Sequence, residues 1–271
     1  MGKKEKIYYV NGQWIKSNQA KISIDNPGFQ YGLGVFETIR FYNNRIYFLD
    51  NHLKRLIQNL KRLSIKSIKQ NDIIPLLQKI IQINNNKTGL LKLIITPESI
   101  NHNNWDYQNH SVYIMIRALP KIQSKVSLTF INKDTNNISK TLSYYDNIIS
   151  KSSSIKNGYY EPVFINSDGF ITECATKNIF FIKNKTIFTP DSKLNILPGI
   201  MRKHIFSIAQ KNNLYIKEAY IKFDDIEKME EAFLTSVGVG VLPCYWKKWS
   251  SNYRLTKKIS QMLINEYKIN L

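Results

Sequence analysis

The sequence predicts a mixed α and β fold of the α+β class, built from two domains. Runs rich in β-branched and aromatic residues are joined by short Asn and Gly connections, which is typical of antiparallel hairpins. Segments with helical spacing of apolar residues occur in both halves of the chain. The pattern breaks at the proline of ALPKIQS, residues 118–124, before another strand begins. We therefore predict a small N-terminal α/β domain over 1–118, a linker over 119–125 and a larger C-terminal domain over 126–271.

Two hairpins and two helices are predicted in the N-terminal part. The run KIYYVNGQWI turns at Asn11-Gly12, and VFETIRFYNNRIYFL turns at Asn43-Asn44. A helix follows with Asp50 or Asn51 as its cap, and a second helix is predicted over about 72–84. The apolar stripe of the first helix consists of Leu53, Leu56, Ile57, Leu60 and Leu63.

The remaining elements follow in a simple order. LLKLIIT at 90–96 and SVYIMIRAL at 111–119 are predicted strands, and the polar loop between them is a candidate to reach a substrate. The C-terminal half is predicted to contain a strand at 126–131, a helix at about 144–157, hairpins in EPVFINSDGFIT and NIFFIKNKTIFT, a helix after Pro198, further strands and a terminal helix near 256–268.

The net charge of +19 raises nucleic acid as a partner, but the composition argues against it. Only seven of the 39 basic residues are arginine, and the lysines are scattered along the whole chain. An AT-rich coding sequence would also produce the abundance of lysine, asparagine and isoleucine. We expect no nucleic-acid partner, and we expect that the positive field attracts a small anionic amino substrate.

Cysteine usage and hydropathy indicate a cytoplasmic protein. Cys174 and Cys244 lie in different segments without CxxC spacing, so neither a disulfide framework nor a metal site is indicated. The N-terminal run MGKKEKIYYV lacks an apolar targeting stretch, and no run approaches membrane-spanning length. We expect no membrane partner.

Lys140 is the first candidate for chemistry. It lies between a predicted strand and the helix that carries Tyr145, Ile148 and Ile149, where a lysine is able to point toward a cleft. A lysine in such a place can form a Schiff base with an aldehyde and later transfer protons. The alternative for any one of 32 lysines is a solvated surface charge.

Glu173 and the run LPGIMR supply what such an aldehyde cofactor needs besides an amine. Glu173 lies in FITE directly after a Ser-Asp-Gly turn; a carboxylate facing a pyridine nitrogen favours the protonated ring, although an exposed edge carboxylate is the alternative. In LPGIMR the proline suits the first turn of a helix, and the amides of Ile200 and Met201 would meet an anion. A plain helix start is the alternative. One amine, one carboxylate and one helix start together suit pyridoxal 5'-phosphate.

Further anion contacts are predicted at scarce arginines and at one strand end. Arg55 lies off the apolar stripe of its helix, so it is either solvated or turned toward an anion, and Arg40 is weighed equally because arginine is scarce. Thr235-Ser236-Val237-Gly238 offers hydroxyls and flexible amides, or else forms only a turn at a strand end.

These segments together resemble the class IV aminotransferases, the fold-type-IV pyridoxal-phosphate enzymes. The resemblance runs from about residue 24 to 243 and rests on five ordered motifs: YGLGVFETIR, HLKRL, Lys140 with its following helix, TECATKNIF and LPGIMR. It implies a two-domain fold similar to D-amino-acid aminotransferase, with a β-barrel-like core in the larger C-terminal domain. It also implies a homodimer.

The resemblance also implies a role for each matching residue. Lys140 is implied as the Schiff-base lysine and Glu173 as the partner of the pyridine nitrogen. The implied phosphate-binding groups are Arg55, the amides of Ile200 and Met201, and the stretch Ser236 and Val237. Tyr145 corresponds to a tyrosine near the cofactor, and Tyr31 and Arg40 correspond to positions on the substrate side. Val237 departs from a threonine often found there, so this contact falls to backbone amides or to Ser236.

Within the family, the features favour aminodeoxychorismate lyase over a transaminase. Thr38 in FET resembles the lyase threonine that handles a proton on the departing enolpyruvyl group, whereas branched-chain enzymes typically have glycine there. Tyr145 instead resembles the branched-chain type. The passage TPES at 96–99 lacks the arginine of the common TRG, for which Lys92 or Arg117 is a possible substitute. The alternatives are a transaminase acting on branched-chain or D-amino acids with 2-oxoglutarate, and a non-catalytic binding protein.

Overall fold

The chain divides into two units, and the first unit also includes a short segment from the middle of the sequence. The computed structural model describes residues 5–136 and 138–268, so the predicted N-terminal run MGKKEKIYYV begins outside the described residues. Unit 1 comprises Met1–Leu119 and Ser139–Tyr144, and unit 2 comprises Pro120–Ile138 and Tyr145–Leu271. Lys140 therefore belongs to unit 1 by its contacts. This division groups residues by their contacts in the structure, and the domain boundaries predicted from the sequence stay a prediction.

Unit 1 is a six-stranded sheet with three helices and a separate small hairpin. Its strands are β1 (Ile7–Val10), β2 (Gln13–Lys16), β3 (Val35–Tyr42), β4 (Arg45–Ile46), β5 (Thr88–Thr96), β6 (Ser99–Asn101), β7 (Asp106–Gln108) and β8 (Ser111–Arg117). Its helices are α1 (Pro27–Tyr31), α2 (Leu49–Arg62) and α3 (Gln70–Asn84). The sheet order is β2-β1-β8-β5-β3-β4, while β6 pairs only with β7. The apolar face of the sheet and the stripes of α2 and α3 form one buried core.

Over its described residues, unit 2 is an eight-stranded sheet with three α-helices and two short 3-10 helices, Ser192–Leu194 and Phe223–Lys228. Its strands are β9 (Val126–Asn132), β10 (Glu161–Ile165), β11 (Ile171–Cys174), β12 (Asn178–Lys183), β13 (Thr186–Pro190), β14 (Ile216–Ala219), β15 (Glu231–Ser236) and β16 (Gly240–Tyr245). Its helices are α4 (Tyr145–Lys156), α5 (Ile200–Lys211) and α6 (Arg254–Tyr267). The order is β11-β10-β9-β16-β15-β12-β13-β14, with parallel pairs at β9–β10, β9–β16 and β13–β14. The α+β prediction is confirmed.

The predicted turns form where the sequence places them. Asn11 and Gly12 have φ of 40° and 97°, and Asn43 and Asn44 have φ of 45° and 64°. Positive φ at both central residues gives the backbone twist that a two-residue hairpin requires, and Asn and Gly adopt it at least cost. Both hairpins of the N-terminal part are therefore confirmed.

Several local predictions are wrong. Helix α2 begins after Phe48, which has a φ of 57° and caps the helix without a side-chain hydrogen bond. Asp50 and Asn51, the two predicted caps, both lie inside the first turn. Pro198 precedes the cap residue Gly199 and is outside α5. The short helix α1 and the β6–β7 hairpin were not predicted, because each is too short to show a periodic pattern. Within the described residues, we find no helix whose length and apolar content would let it cross a membrane.

Candidate active site

Lys140 lies beside the first residues of β3 in unit 1. Its carbonyl accepts a hydrogen bond from the Phe36 amide (3.1 Å), and the next residue, Thr141, forms an antiparallel bridge with Val35. The Lys140 Nζ atom lies 4.4 Å from the centre of the Phe36 ring and 5.5 Å from that of Tyr144. The amine is thus held over aromatic faces, where a cation is stabilised while partly buried.

Thr38 and Lys92 lie on the same face of the sheet as Phe36. Side chains alternate along β3, so Phe36 and Thr38 project to one side, and Lys92 is the direct partner of Thr38 on β5. The Lys92 Nζ atom lies 4.7 Å from the centre of the Phe36 ring. Two lysine amines and one threonine hydroxyl are therefore gathered around a single phenylalanine.

This face of the unit 1 sheet is strongly basic. Arg40 follows Thr38 on the same side of β3, and the register through Leu90 brings Arg117 of β8 to that side as well. Strands β5 and β8 contain no acidic residue, and the one carboxylate of β3, Glu37, projects to the opposite face. Burial, together with the charge of Arg117, lowers the pKa of Lys92, and burial lowers that of Arg40. An anion on this face would relieve the repulsion among these cations.

Arg55 is turned toward an anion, and that anion is a carboxylate of the chain itself. Arg55 Nε donates to Glu37 Oε1 and Arg55 Nη2 donates to Glu37 Oε2, both at 2.7 Å. His52, one turn earlier on α2, lies with Nδ1 2.7 Å from Glu37 Oε2. The solvated alternative for Arg55 is wrong, and its contact with the cofactor phosphate stays a prediction.

The charge state of this cluster follows from its burial. Burial alone would raise the pKa of Glu37, but the adjacent Arg55 guanidinium and the His52 contact lower it to about 2. Burial lowers the pKa of His52, so His52 is neutral and donates its Nδ1 proton to the carboxylate. Sequence reasoning missed Glu37 and His52 as site residues. The signal was present, since His52 and Arg55 are three residues apart on one helix and thus share a face.

Tyr31 lines a cleft of about 310 Å³ in unit 1. The side chain is half exposed at the end of α1, and the cleft is also lined by Trp105 and Tyr107 of the β6–β7 hairpin and by Thr141 and Ser143. These last two residues belong to the segment that carries Lys140. The predicted substrate-side roles of Tyr31 and Arg40 stay predictions, and Arg40 is only 1% exposed.

In unit 2, Glu173 and the run LPGIMR are brought together. Glu173 lies on β11, is only 4% exposed, and its Oε2 atom accepts a hydrogen bond from the Leu197 amide (3.2 Å). The Asn178 side chain donates from Nδ2 to the Leu197 carbonyl (3.3 Å). The exposed-carboxylate alternative for Glu173 is wrong. Leu197 is held on both sides by the two ends of the segment 173–178.

Helix α5 begins directly after this contact. Gly199 is its cap residue and provides no side-chain hydrogen bond, so the first amides, including those of Ile200 and Met201, have no acceptor within the helix. A Cβ atom at Gly199 would collide with the Asn178 side chain, so the close approach of this loop requires glycine. An uncapped helix start of this kind is a ready anion site.

Strand β15 ends beside the same place. Thr235 is the direct partner of Asn178 on β12, and Ser236 and Val237 follow it at the strand end. The Thr235 Oγ1 atom is buried and has no hydrogen-bond partner among residues 5–136 and 138–268. This hydroxyl is therefore available to a water or a polar ligand, because an unpaired buried group destabilises the fold. Thr235 was missed as a separate candidate, although its run was singled out.

Tyr145 is the first residue of α4, and its side chain is 74% exposed. The exposed side chains of Ile148, Ile149 and Ile155 lie on the same helix. The predicted contact of Tyr145 with the cofactor stays a prediction.

The groups present in the two units fit the needs of pyridoxal phosphate. Unit 1 supplies an amine held over aromatic rings, and unit 2 supplies a buried carboxylate beside an uncapped helix start and a buried hydroxyl that lacks a partner. An amine is needed for the aldehyde of this cofactor, a carboxylate for its pyridine nitrogen and an anion site for its phosphate.

Comparison with known proteins agrees with this chemistry. Residues 34–245 match the family model described as amino-transferase class IV. A Rickettsia felis protein described as "Probable branched-chain-amino-acid aminotransferase" is 29% identical over 255 residues, covering 89% of this chain and 88% of that protein. The aminodeoxychorismate lyase of Bacillus subtilis is 27% identical over 249 residues, covering 88% of this chain and 85% of the lyase.

The fold is also found in solved structures. The crystal structure of the branched-chain aminotransferase from the archaeon Thermoproteus uzoniensis with norvaline superposes with a TM-score of 0.88 and 21% identity. The superposition covers 97% of each chain. At this identity the likeness confirms the predicted fold alone.

Proposed function

Because the chain belongs to the class IV aminotransferase family, whose cofactor is pyridoxal 5'-phosphate, we propose that it is a 4-amino-4-deoxychorismate lyase. The products would be 4-aminobenzoate and pyruvate, a step of folate synthesis. The observation that carries the proposal is the grouping of Lys140, Thr38 and Lys92 around Phe36 on the basic face of the unit 1 sheet. The similarity to the Bacillus subtilis lyase supports it.

The resemblance to the family assigns cofactor-binding roles to residues of each unit. The amine of Lys140 would bind the aldehyde carbon covalently, and the buried Glu173 carboxylate would keep the pyridine nitrogen protonated. Arg55 and the amides of Ile200 and Met201 would bind the phosphate, and Ser236 and Val237 would complete that site. When bound, the protonated pyridine ring accepts the electron pair left by removal of a proton.

The proposed reaction assigns proton transfers to Lys140 and Thr38. The freed Lys140 amine removes the proton from the ring carbon that carries the amino group. The bond from the adjacent ring carbon to the enolpyruvyl oxygen then breaks, which leaves an aromatic ring. A proton must reach the methylene carbon of the departing group to give pyruvate, and the Thr38 hydroxyl would deliver it. Lys92 would bind a substrate carboxylate, since no carboxylate of β3, β5 or β8 shares its face.

Purified protein tests the proposal directly. Pyruvate released from 4-amino-4-deoxychorismate without any amino acceptor supports the lyase. Thr38→Val, which removes the hydroxyl at nearly constant volume, should lower this rate by about 100-fold, while Thr38→Ser should retain most of it. The absorption spectrum of the bound cofactor should be unchanged in both variants. No pyruvate, together with amino-group transfer to 2-oxoglutarate, would sink the lyase proposal.

The covalent anchor has a separate test. Borohydride reduction of the loaded protein should fix the cofactor to the peptide that contains Lys140, and Lys140→Ala should abolish the visible imine band. Lys133→Ala is a matched control, since Lys133 is also largely buried, with its side chain 23% exposed, and pairs with Asp146 of α4. Modification at another lysine, or no band in the unmodified protein, would support the non-catalytic alternative.

A transaminase is the second candidate function. The matches to the Rickettsia protein and the Thermoproteus structure favour a branched-chain amino acid as its donor, and D-amino acids are the other class to test. Transfer from these donors to 2-oxoglutarate, measured in the same preparation, discriminates the two reactions.

We further propose a cytoplasmic homodimer. The exposed apolar side chains of Tyr145, Ile148, Ile149 and Ile155 on α4 support a partner surface, because a monomer would leave them in water. Cys174 and Cys244 are buried free thiols, which suits a reducing compartment. Sedimentation velocity of the holoenzyme and of Ile148→Lys tests the dimer, which should dissociate in the variant.

A further inference from the structure

Unit 2 contains a second buried carboxylate that the proposed chemistry does not use. Glu161, the first residue of β10, is 0% exposed. Its Oε1 atom accepts hydrogen bonds from the Thr176 amide (2.7 Å) and the Thr176 hydroxyl (2.8 Å). Its Oε2 atom accepts from Lys177 Nζ (2.9 Å) and from Lys151 Nζ of α4 (2.5 Å). The Glu161 carboxylate therefore accepts all four of these hydrogen bonds.

Three of these four contacts hold the loop 175–177, which separates Glu173 from Asn178. Helix α4 holds the same loop at a second point, where Asn147 Nδ2 donates to the Ala175 carbonyl (2.8 Å). The loop has no regular secondary structure, so its position depends on these side-chain contacts. Glu161 contributes most of them.

The two residues that flank the loop, Glu173 and Asn178, both form hydrogen bonds with the backbone of Leu197. Glu173 accepts from the Leu197 amide, and Asn178 donates to the Leu197 carbonyl. Leu197 is two residues before Gly199, the cap of the anion-binding helix start. A displacement of the loop would therefore move the carboxylate of Glu173 and the start of α5 together.

We propose that Glu161 is a positioning residue for the cofactor, which aligns the site for the pyridine nitrogen and the site for the phosphate through the loop 175–177. The proposal rests on the cofactor-binding roles proposed for Glu173 and for the start of α5. It is independent of whether the enzyme acts as a lyase or a transaminase.

The charge of Glu161 is needed for this role. Burial would raise the pKa of Glu161, but the ammonium groups of Lys177 and Lys151 lower it. The neighbouring Cys174 stays a neutral thiol, because burial raises its pKa well above the usual value. Ionised Glu161 is therefore an acceptor at both oxygens. A glutamine would place an amide nitrogen against the lysines or against Thr176, and one set of contacts would be lost.

The test compares Glu161→Gln with Glu231→Gln. Glu231 is also a buried carboxylate of unit 2, but it accepts hydrogen bonds from the Leu255 and Thr256 amides at the start of α6. Apo-protein of each variant is titrated with pyridoxal phosphate, and the thermal unfolding midpoint of the apo-protein is measured in parallel. We expect both substitutions to lower the midpoint. Only Glu161→Gln should weaken cofactor binding, by about tenfold, the lower end of what outer-shell contacts contribute at ligand sites.

The ³¹P resonance of the bound cofactor gives a readout that a general loss of stability does not move. It should shift in Glu161→Gln and coincide with the wild type in Glu231→Gln. Lys151→Met keeps the contacts of Glu161 with the loop. It removes the contact of Glu161 with α4 and the hydrogen bond from Lys151 Nζ to the Tyr160 carbonyl, so its dissociation constant should change less than that of Glu161→Gln.

The result that overturns the proposal is a wild-type dissociation constant and resonance in Glu161→Gln. If Glu161→Gln does not fold, Thr176→Val replaces it, since that variant removes one of the three hydrogen bonds between Glu161 and the loop, together with the hydrogen bond from Lys177 Nζ to the same hydroxyl. An unchanged dissociation constant in Thr176→Val then overturns the proposal equally. Failure of the lyase assay in a wild-type enzyme that binds the cofactor normally would refute the proposed reaction and leave this inference standing.

Discussion

Glu37 in unit 1 and Glu161 in unit 2 are both fully buried carboxylates, but their charges are neutralised in different ways. Glu37 is held by the rigid fork of one arginine, Arg55, and by a neutral histidine one turn away on the same helix. Glu161 is held by two lysines, one from α4 and one from a loop, and by a threonine. The first cluster has no net charge, whereas the second has one surplus positive charge.

The difference shows how each cluster depends on its partners. An arginine fork fixes both oxygens of Glu37 at once, so the geometry and the neutralisation come from one residue. Two lysines share the Glu161 charge, so either of them is replaceable electrostatically, but the carboxylate itself is not. The first cluster should therefore be sensitive to Arg55 and the second to Glu161. Substitutions and acid should therefore affect the two clusters to different degrees.

The largest effect is expected for Glu161→Ala. The substitution removes the carboxylate that pairs with Lys177 and Lys151, whose side chains are only 7% and 18% exposed. Removal of one member of a buried ion pair typically destabilises a protein by about 3–5 kcal/mol. Urea unfolding of the apo-protein measures the loss, and hydrogen exchange should place it in unit 2. A loss below about 1 kcal/mol would contradict the view that Glu161 holds the cluster together.

Acid should lower the free energy of unfolding through the Glu37 cluster by nearly as much as Glu161→Ala does. The folded-state pKa of Glu37 is lowered from 4.5 to about 2, so its contribution is complete above pH 4.5 and is lost as pH falls toward 2. The shift corresponds to about 3 kcal/mol. The pKa of Glu161 is also lowered, so its contribution falls in the same direction.

Stability measured against pH in the wild type and in Glu37→Gln checks this expectation. The wild type should lose stability more steeply between pH 4.5 and about 2, because the variant has no carboxylate to protonate at this position. Parallel curves would mean that folding does not shift the pKa of Glu37.

The hairpins, most strand limits and the long helices were predictable because their signals are local. Asn-Gly and Asn-Asn fix a turn by their own backbone preferences, and the stripe on α2 is contained in fourteen residues. The cap at Phe48 was not predictable, since nothing in the sequence shows that an aromatic residue will adopt a left-handed conformation there. In the candidate site, Lys140, Glu173 and LPGIMR were found through motifs.

The supports of the candidate site could not be found in this way, because their partners are distant in sequence. Glu37 meets Arg55 eighteen residues later, and Glu161 meets Lys151 ten residues earlier and Thr176 fifteen residues later. Read along the chain, Glu161 is only a charged residue at the start of a strand. Its burial is a consequence of the sheet order, which periodicity does not reveal.

Arg55→Lys should have an intermediate effect. Lysine keeps the positive charge but loses the fork, so one of the two 2.7 Å hydrogen bonds to Glu37 is lost. A hydrogen bond to a charged group contributes about 2 kcal/mol, and we expect a loss of that size in urea unfolding. Arg62→Lys, an exposed change on the same helix, serves as the control and should stay within about 0.5 kcal/mol of the wild type. Equal effects of the two substitutions would contradict the importance of the fork.

Lys151→Met should have the smallest effect, although it removes a contact as short as those of Arg55. Lys177 still neutralises Glu161, and the substitution removes the surplus positive charge and the cost of burying it. Burial lowers the pKa of Lys151 in spite of the adjacent carboxylate, which agrees with an ammonium that gains little from its position. The two lost hydrogen bonds, to Glu161 and to the Tyr160 carbonyl, and the relieved charge should nearly cancel, so we expect a change within about 1 kcal/mol in urea unfolding. Arg55→Met provides the contrast, because Glu37 would retain only a neutral histidine and the loss should approach that of Glu161→Ala. If Lys151→Met instead destabilises the protein as strongly as Arg55→Met, the two lysines are not interchangeable, and the distinction between the two clusters fails.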